Sequence, residues 1–136
     1  SEGLTDVNLS ILQEAAAASR TLQGPWVIGG DWNINPDTLT ASGWLDLVEG
    51  EVVAPTLPTC GASTYDFFVV SRTLRHAVAG VQRLHDAGMH PHAPVRLLIR
   101  GDARRLAGLV SATGTAVVWR RCAAWRRKWC VREAIP

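Results

Sequence analysis

The chain has 136 residues, of which 47% are apolar and 19% are charged. This length allows one domain at most, and the composition excludes a disordered tail and a collagen-like repeat. Its apolar runs are far shorter than the roughly 20 residues that a membrane-spanning helix needs, and we expect no transmembrane segment. The 3 cysteines have no C-x-x-C spacing, which argues against a disulfide framework or a zinc ribbon and favours a reducing, intracellular compartment.

The charges are unevenly distributed, although the formal net charge is only +2. Residues 1–99 hold 5 arginines and 10 acidic residues, a balance of −5, whereas residues 100–136 hold 9 basic and 2 acidic residues, a balance of +7. The change of sign predicts a domain over residues 1–100 and a basic tail over 101–136. The sequence starts without methionine and without a secretory signal, and we expect it to be cut from a longer chain.

The pattern of apolar and polar residues predicts one long helix followed by short elements. The helix is expected from Asp6, as its N-cap, to Leu22, and it ends before Gly24 and Pro25. Its buried face is expected to hold Leu9, Leu12, Ala16 and Ser19 or Arg20. The later elements are predicted as a strand over 26–28, a short helix over 36–41, and strands over 51–54, 65–71, 77–84 and 94–100. This order indicates a mixed α/β or α+β layered fold.

Polar residues follow the first predicted strand in the segment Gly29-Gly30-Asp31-Trp32-Asn33. The two glycines permit a tight turn, after which Asp31 and Asn33 project from the end of the strand. A carboxylate and an amide at this spacing can act on one phosphate, the first orienting a water and the second donating to an oxyanion. The same residue types are common in ordinary turns, and the spacing alone favours the turn.

Two further segments place polar side chains beside apolar strands. Asp66 shares a predicted strand face with Phe68 and Val70, so it is expected to be largely buried and to need a partner. His92 is the candidate partner, because a carboxylate can fix the tautomer of an imidazole. The alternatives are a solvated Asp66 at the edge of its strand and a His92 that is simply an exposed loop residue.

Taken in order, these segments resemble the endonuclease/exonuclease/phosphatase superfamily of Mg²⁺-dependent phosphodiesterases, which includes apurinic endonucleases, deoxyribonuclease I-like nucleases and retrotransposon-type endonuclease domains. Gly30-Asp31-Trp32-Asn33 is similar to its Gly-Asp-Phe/Trp-Asn motif. The segment from Thr64 to Ser71 is similar to its Ile-Asp-Tyr-Ile-Phe-Val-Ser strand, and His92-Ala93-Pro94-Val95 to the end of its Ser-Asp-His-x-Pro-Val motif. The resemblance covers about residues 5–100 and implies the C-terminal half of a four-layer sandwich.

The resemblance also implies the chemistry of the site. Asp31 would orient or deprotonate the attacking water and bind Mg²⁺ or Mn²⁺, and Asn33 would contact the scissile phosphate. His92 would stabilise or protonate groups at that phosphate, while Asp66 holds its imidazole. The metal would stabilise charge on the phosphate oxygens, without a covalent intermediate.

The sequence departs from the family in two respects. Pro91 stands where the family has an acidic residue before the motif histidine, and the Asn and the metal-binding Glu that the family takes from its N-terminal half have no counterpart here. We therefore expect a weak or inactive chain. A missing half would also uncover one face of the sheet unless another segment or chain covers it. The residues expected to be exposed are Trp26, Ile28, Phe67, Phe68, Val69 and Leu97.

The basic tail carries an apolar stripe at helical spacing. Val118, Cys122, Trp125 and Trp129 repeat every three or four residues, which predicts a basic amphipathic helix within residues 115–132. Such a helix can bind nucleic acid, an anionic membrane or a groove of a partner, and it can equally pack its tryptophans on the sheet or begin another domain. Packing is the favoured interpretation.

Three functions remain open from the sequence. The first is a nuclease-like phosphodiesterase, for which the charge of the tail favours nucleic acid as the substrate and the nucleus as a compartment. The second is an inactive remnant that retains the fold and binds nucleic acid through its tail. The third is a phosphatase-like protein that acts on small phosphoesters or lipid headgroups.

Overall fold

The computed structural model describes residues 3–85 and 90–100, and the strand backbone of residues 117–118 and 130–132. The described helices are α1 (Asp6–Thr21), α2 (Pro36–Ala41), α3 (Trp44–Val48) and α4 (Arg72–Arg75). The described strands are β1 (Val27–Asp31), β2 (Gly50–Val53), β3 (Asp66–Ser71), β4 (Val78–Arg83), β5 (Val95–Ile99), β6 (Val117–Val118) and β7 (Cys130–Arg132). This mixture of helices and antiparallel sheets confirms the predicted α+β class.

The strands form a five-stranded sheet and a separate two-stranded one. The larger sheet has the order β2-β3-β1-β7-β6, and the smaller one pairs β4 with β5. Every pairing is antiparallel. In the centre of the larger sheet, β1 and β3 run from the pair Val27 and Val70 to the pair Asp31 and Asp66. Because side chains alternate between the faces of a strand, this register decides which residues enter each core.

The helices α1, α2 and α3 cover one face of the larger sheet. Ile28 of β1 and Phe67 and Val69 of β3 point to this side. They form one buried cluster with helical and loop residues, namely Leu12, Ala16, Trp26, Trp32, Ile34, Leu39, Trp44, Leu45 and Val48. The alternation that places Phe67 and Val69 here sends Asp66 and Phe68 to the opposite face.

The hairpin of β4 and β5 covers part of the opposite face. Val53, Val70 and Val78 are buried there, and the half-buried side chains around them are Val27, Phe68, Leu74, Val81 and Leu97. The expected exposure of one sheet face is therefore wrong. Trp26, Ile28, Phe67 and Val69 are buried, and Phe68 and Leu97 are half-buried. Elements of this chain supply the cover that we had expected from a missing half or another chain.

Several helix predictions are corrected in detail. Thr5, not Asp6, is the N-cap of α1, because the side chain of Thr5 accepts a hydrogen bond from the Asn8 backbone nitrogen. The buried residues of α1 are Asn8, Leu12, Ala16 and Ser19, whereas Leu9 is exposed. The helix α3 was not predicted. It has five residues and lies between left-handed residues at Gly43 and Glu49, so it is too short for a periodic signal.

The helical prediction for the tail is wrong where the structure describes the tail. Val118 lies in β6 and Cys130 in β7, and β7 pairs with β1 as an additional strand of the larger sheet. A continuous helix through residues 115–132 is therefore not formed. The other members of the predicted stripe, Cys122, Trp125 and Trp129, lie outside the described residues. Within the described part of the chain, no helix is long and apolar enough to cross a membrane.

Candidate functional site

The loop that follows β1 is anchored in the helix-side core by Trp32. The Trp32 ring is buried and stacks on Phe67, with the ring centroids 5.1 Å apart and the planes 11° apart. Its indole Nε1 donates to the Phe67 carbonyl over 3.0 Å, and its backbone nitrogen donates to the Tyr65 carbonyl over 2.8 Å. Trp32 therefore ties the loop to β3, and its strand neighbour Asp31 emerges on the opposite face.

Asn33 adopts a left-handed backbone conformation beside Asp31. Its φ is +52°, a value that asparagine tolerates better than most residues. The Asn33 backbone nitrogen donates to Asp31 Oδ1 over 3.1 Å, which forms a local turn. The Asn33 carbonyl accepts from the Gly3 backbone nitrogen over 3.0 Å, and Asn8 at the start of α1 binds the Gly3 carbonyl through its amide. The conformation of this loop is thus held by Asp31 at the Asn33 nitrogen and by Gly3 at the Asn33 carbonyl.

The strand register places two carboxylates next to each other. Asp31 and Asp66 are directly opposite residues of the antiparallel pair β1 and β3, so their side chains project from the same face. Their side chains are only 10% and 15% exposed. Like charges at opposite positions repel each other, so this arrangement requires a cationic or hydrogen-bonding neighbour.

His92 supplies that neighbour from the loop before β5. Its Nδ1 lies 2.7 Å from Asp66 Oδ2, and its Nε2 lies 3.8 Å from Asp31 Oδ2. An ionised carboxylate only accepts hydrogen bonds, so Nδ1 is the donor in the contact with Asp66. In the neutral imidazole, Nε2 then carries the lone pair on the side of Asp31. The three side chains form one cluster, as the resemblance implies.

Asn33, in the same loop as Trp32, carries an unused donor. Its Nδ2 is buried and has no hydrogen-bond partner within the described part of the chain. A buried amide without a partner is costly in free energy, and such groups are commonly retained where a ligand supplies the missing acceptor. The donor belongs to the residue that follows Trp32 and whose backbone nitrogen binds Asp31 Oδ1. An amide N–H of this kind can donate a hydrogen bond to an anionic oxygen.

The donor set is compatible with a divalent cation. One ligand atom from each of Asp31, Asp66 and His92 lies within 4.8 Å of the others. Mg²⁺ binds one or two carboxylates and completes its octahedron with waters and phosphate oxygens. Each carboxylate already accepts one hydrogen bond, Asp31 Oδ1 from the Asn33 backbone nitrogen and Asp66 Oδ2 from the His92 imidazole, and it is the motif resemblance that implies Asp31 as the ligand. Mn²⁺ accepts the same oxygens and also imidazole nitrogen, so it fits this set at least as well.

The predicted site residues thus lie together. Asp66 and His92 are hydrogen-bonded, which agrees with the expected pairing and excludes both a solvated Asp66 and a fully exposed His92. Pro91, in the position of the family's acidic residue, is exposed. His85 and His90 are exposed loop residues, and His85 accepts a hydrogen bond from Arg83.

The sequence did not indicate the role of Thr59. This buried threonine contacts the backbone beside both Asp66 and His92, although it lies in a turn-rich segment without a recognisable motif. A threonine between Pro58 and Cys60 gives no signal that its hydroxyl binds residues six and seven positions further along the chain, or that its carbonyl binds the loop of His92.

Comparisons with known proteins provide no independent support. A scan against protein-family models, a search of curated proteins and a search of solved structures each find no match. The geometry of the site and the motif resemblance are therefore the basis on which a function is inferred.

Proposed function

We propose that this chain carries a phosphodiester-hydrolysing centre of the endonuclease/exonuclease/phosphatase type, with the α+β layers as the corresponding part of that superfamily's sandwich. The observation that supports it is the convergence of Asp31, Asp66 and His92, together with the unpartnered amide of Asn33, whose backbone nitrogen binds Asp31 Oδ1. These residues come from three separate segments of the sequence. A cluster that joins two carboxylates, an imidazole and a spare amide donor has the parts needed for water activation and phosphate binding.

Each side chain has a distinct role in this proposal. Asp31 orients the attacking water and accepts its proton, since its carboxylate lies at the end of β1 and is partly accessible. Asn33 donates through Nδ2 to a non-bridging phosphate oxygen. His92, when protonated, donates through Nε2 to the phosphate or to the leaving oxygen, while Asp66 holds Nδ1. When bound, Mg²⁺ or Mn²⁺ supplies positive charge for the phosphate oxygens, with Asp31 as its ligand.

We propose that hydrolysis by this chain alone is weak. Pro91 adds no acidic ligand, and one carboxylate is a poor anchor for Mg²⁺. Nucleic acid is the favoured substrate class, because residues 100–136 have a charge balance of +7 (9 basic minus 2 acidic) that suits phosphate backbones. The same charge favours the second candidate, an inactive remnant that binds nucleic acid through this segment.

Cleavage of a supercoiled plasmid and of a duplex with an abasic site tests the proposal. The chain is incubated with Mg²⁺ or Mn²⁺, and with EDTA as the metal-free control. Asp31→Asn removes the charge but keeps an acceptor for the Asn33 backbone nitrogen, so the loop is preserved. Asp37→Asn is the matched variant, because Asp37 is an exposed acid in the first turn of α2, outside the cluster. We expect metal-dependent cleavage that Asp31→Asn lowers at least tenfold and Asp37→Asn leaves unchanged.

Metal binding provides a second measurement. Paramagnetic Mn²⁺ broadens nuclear resonances close to it, so it is expected to broaden the His92 ring signals in the wild type and less in Asp31→Asn. Cleavage that survives Asp31→Asn would refute the assigned chemistry. A folded wild type that neither cleaves nor binds Mn²⁺ would refute the hydrolase proposal. Salt-sensitive binding of the same duplex would then support the remnant.

A further inference from the structure

Thr59 connects the two chain segments that carry Asp66 and His92. Its side chain is 2% exposed, and its Oγ1 accepts hydrogen bonds from the backbone nitrogens of Tyr65 and Asp66, over 3.0 and 2.9 Å. The Thr59 carbonyl accepts from the Ala93 backbone nitrogen over 2.7 Å, and Ala93 directly follows His92. One residue thus holds the backbone at the start of β3 and the backbone of the histidine loop.

These contacts close a ring of hydrogen bonds. The ring leads from the Asp66 backbone through Thr59 to the backbone beside His92, and it returns through the 2.7 Å contact between the His92 imidazole and the Asp66 carboxylate. A hydrogen bond weakens steeply when its angle or length departs from the optimum. The position of both backbones therefore determines whether the Nδ1 contact is made.

The turn beside Thr59 does not need the hydroxyl. Cys60 and Ser63 exchange two backbone hydrogen bonds of 2.9 Å, and the Thr59 nitrogen donates to the Ser63 carbonyl over 2.9 Å. The turn is closed by main-chain groups, so both acceptor positions of the hydroxyl are directed to the residues that begin β3. A hydroxyl that only stabilised its own turn would have its partners within that turn.

We propose that Thr59 is a positioning residue that sets the geometry of the Asp66–His92 pair and thereby the tautomer of the imidazole. This inference deepens the proposed function, because it concerns the same site. Its physical content is independent of catalysis, since it predicts where the proton of the His92 ring resides. Without the hydroxyl, the nitrogens of Tyr65 and Asp66 lose their acceptor, β3 shifts at its first residue, and Nδ1 loses its alignment with the carboxylate.

The test compares Thr59→Val, which keeps the branched shape without an acceptor, with Thr59→Ser, which keeps the acceptor. Long-range proton–nitrogen spectra of histidine-labelled protein report which ring nitrogen carries the proton. The chain has 4 histidines, and His92→Gln identifies the relevant signals. Ser19→Ala is the matched control, because it removes another buried hydroxyl, one that donates to the Ala16 carbonyl within α1.

We expect a downfield Nδ1 proton on His92 in the wild type and in Thr59→Ser, and its loss in Thr59→Val. Ser19→Ala is expected to leave this signal unchanged. If Thr59→Val does not fold, Thr59→Ala is measured in the same way, since its smaller side chain relieves the packing and still removes the acceptor. The inference is overturned if the wild-type ring carries its proton only on Nε2, or if a folded variant without the hydroxyl keeps the wild-type signal.

The outcome is separable from that of the cleavage assay. If the wild type neither cleaves nor binds Mn²⁺ and Thr59→Val still changes the His92 signal, the hydrolase proposal fails and the positioning role stands. If the wild type cleaves and the His92 signal is the same in Thr59→Val as in the wild type, the positioning role fails and the hydrolase proposal stands.

Discussion

Replacing Trp32 with phenylalanine tests whether the core holds the site loop in place. The substitution keeps one ring to stack on Phe67 but removes the indole N–H that donates to the Phe67 carbonyl. The lost hydrogen bond costs about 1 kcal/mol. The lost ring volume in this buried position costs about 1–2 kcal/mol more. Urea unfolding followed by far-ultraviolet circular dichroism is therefore expected to show a free energy of unfolding lower by about 2–3 kcal/mol.

Trp44→Phe provides the matched control. Trp44 is also buried, and its Nε1 donates to the Leu12 carbonyl over 2.8 Å, so the same chemistry is lost at about the same cost in stability. Trp44 lies in α3, whereas Trp32 directly follows Asp31. Only Trp32→Phe is expected to change the His92 ring signals. A decrease in the free energy of unfolding of less than about 0.5 kcal/mol in Trp32→Phe would refute the reasoning, because the indole hydrogen bond alone is expected to contribute more than that. The reasoning would also be refuted if Trp32→Phe and Trp44→Phe changed the His92 ring signals equally.

Three further substitutions test other parts of the fold by the same unfolding assay. Gly29→Ala places a methyl group 2.6 Å from two ring carbons of Phe68, so the ring must move, and we expect a loss of about 1–3 kcal/mol; wild-type stability would show that the ring moves freely. Thr5→Ala removes the N-cap of α1 and is expected to cost about 1 kcal/mol; an unchanged midpoint would mean that the cap contributes nothing. Arg72→Ala breaks an exposed ion pair with Asp46 and is expected to cost less than about 1 kcal/mol; a larger loss would contradict its exposure.

The residues of the site could be predicted because the signals are local. Asp31 and Asp66 stand at the ends of apolar strands, and alternation assigns Asp66 to the face that carries Phe68. The partnership of Asp66 with His92 followed from the requirement that a buried carboxylate find a partner and from the motif resemblance. What the sequence did not contain was the distance between them, which depends on how the hairpin of β4 and β5 lies against the larger sheet.

Other features were beyond the sequence because they depend on tertiary contacts. The first helix is oriented about its axis so that Asn8 is buried and Leu9 is exposed. This orientation allows Asn8 to bind the carbonyl of Gly3 beside the site loop. A hydrophobic pattern assigns leucine to the core and cannot anticipate such a contact. The start of the helical stripe in the tail, at Val118, was misjudged for a related reason. Helical spacing at Val118 was overridden where the backbone pairs with the sheet, as propensity commonly is.

The register of β1 and β3 links the acids to the core in one further way. Trp32 enters the helix-side core only because Asp31 points to the other face, and the same alternation separates Phe67 from Asp66. A deletion or insertion of one residue within β1 would exchange the faces of Asp31 and Trp32, and one within β3 those of Asp66 and Phe67. In each case a carboxylate would enter the core and an aromatic ring would enter the site. A change of length in either strand is therefore expected to destabilise the core together with the cluster. During divergence, the cluster can be dismantled only by substitution, and a descendant that has lost the acids can still inherit the fold.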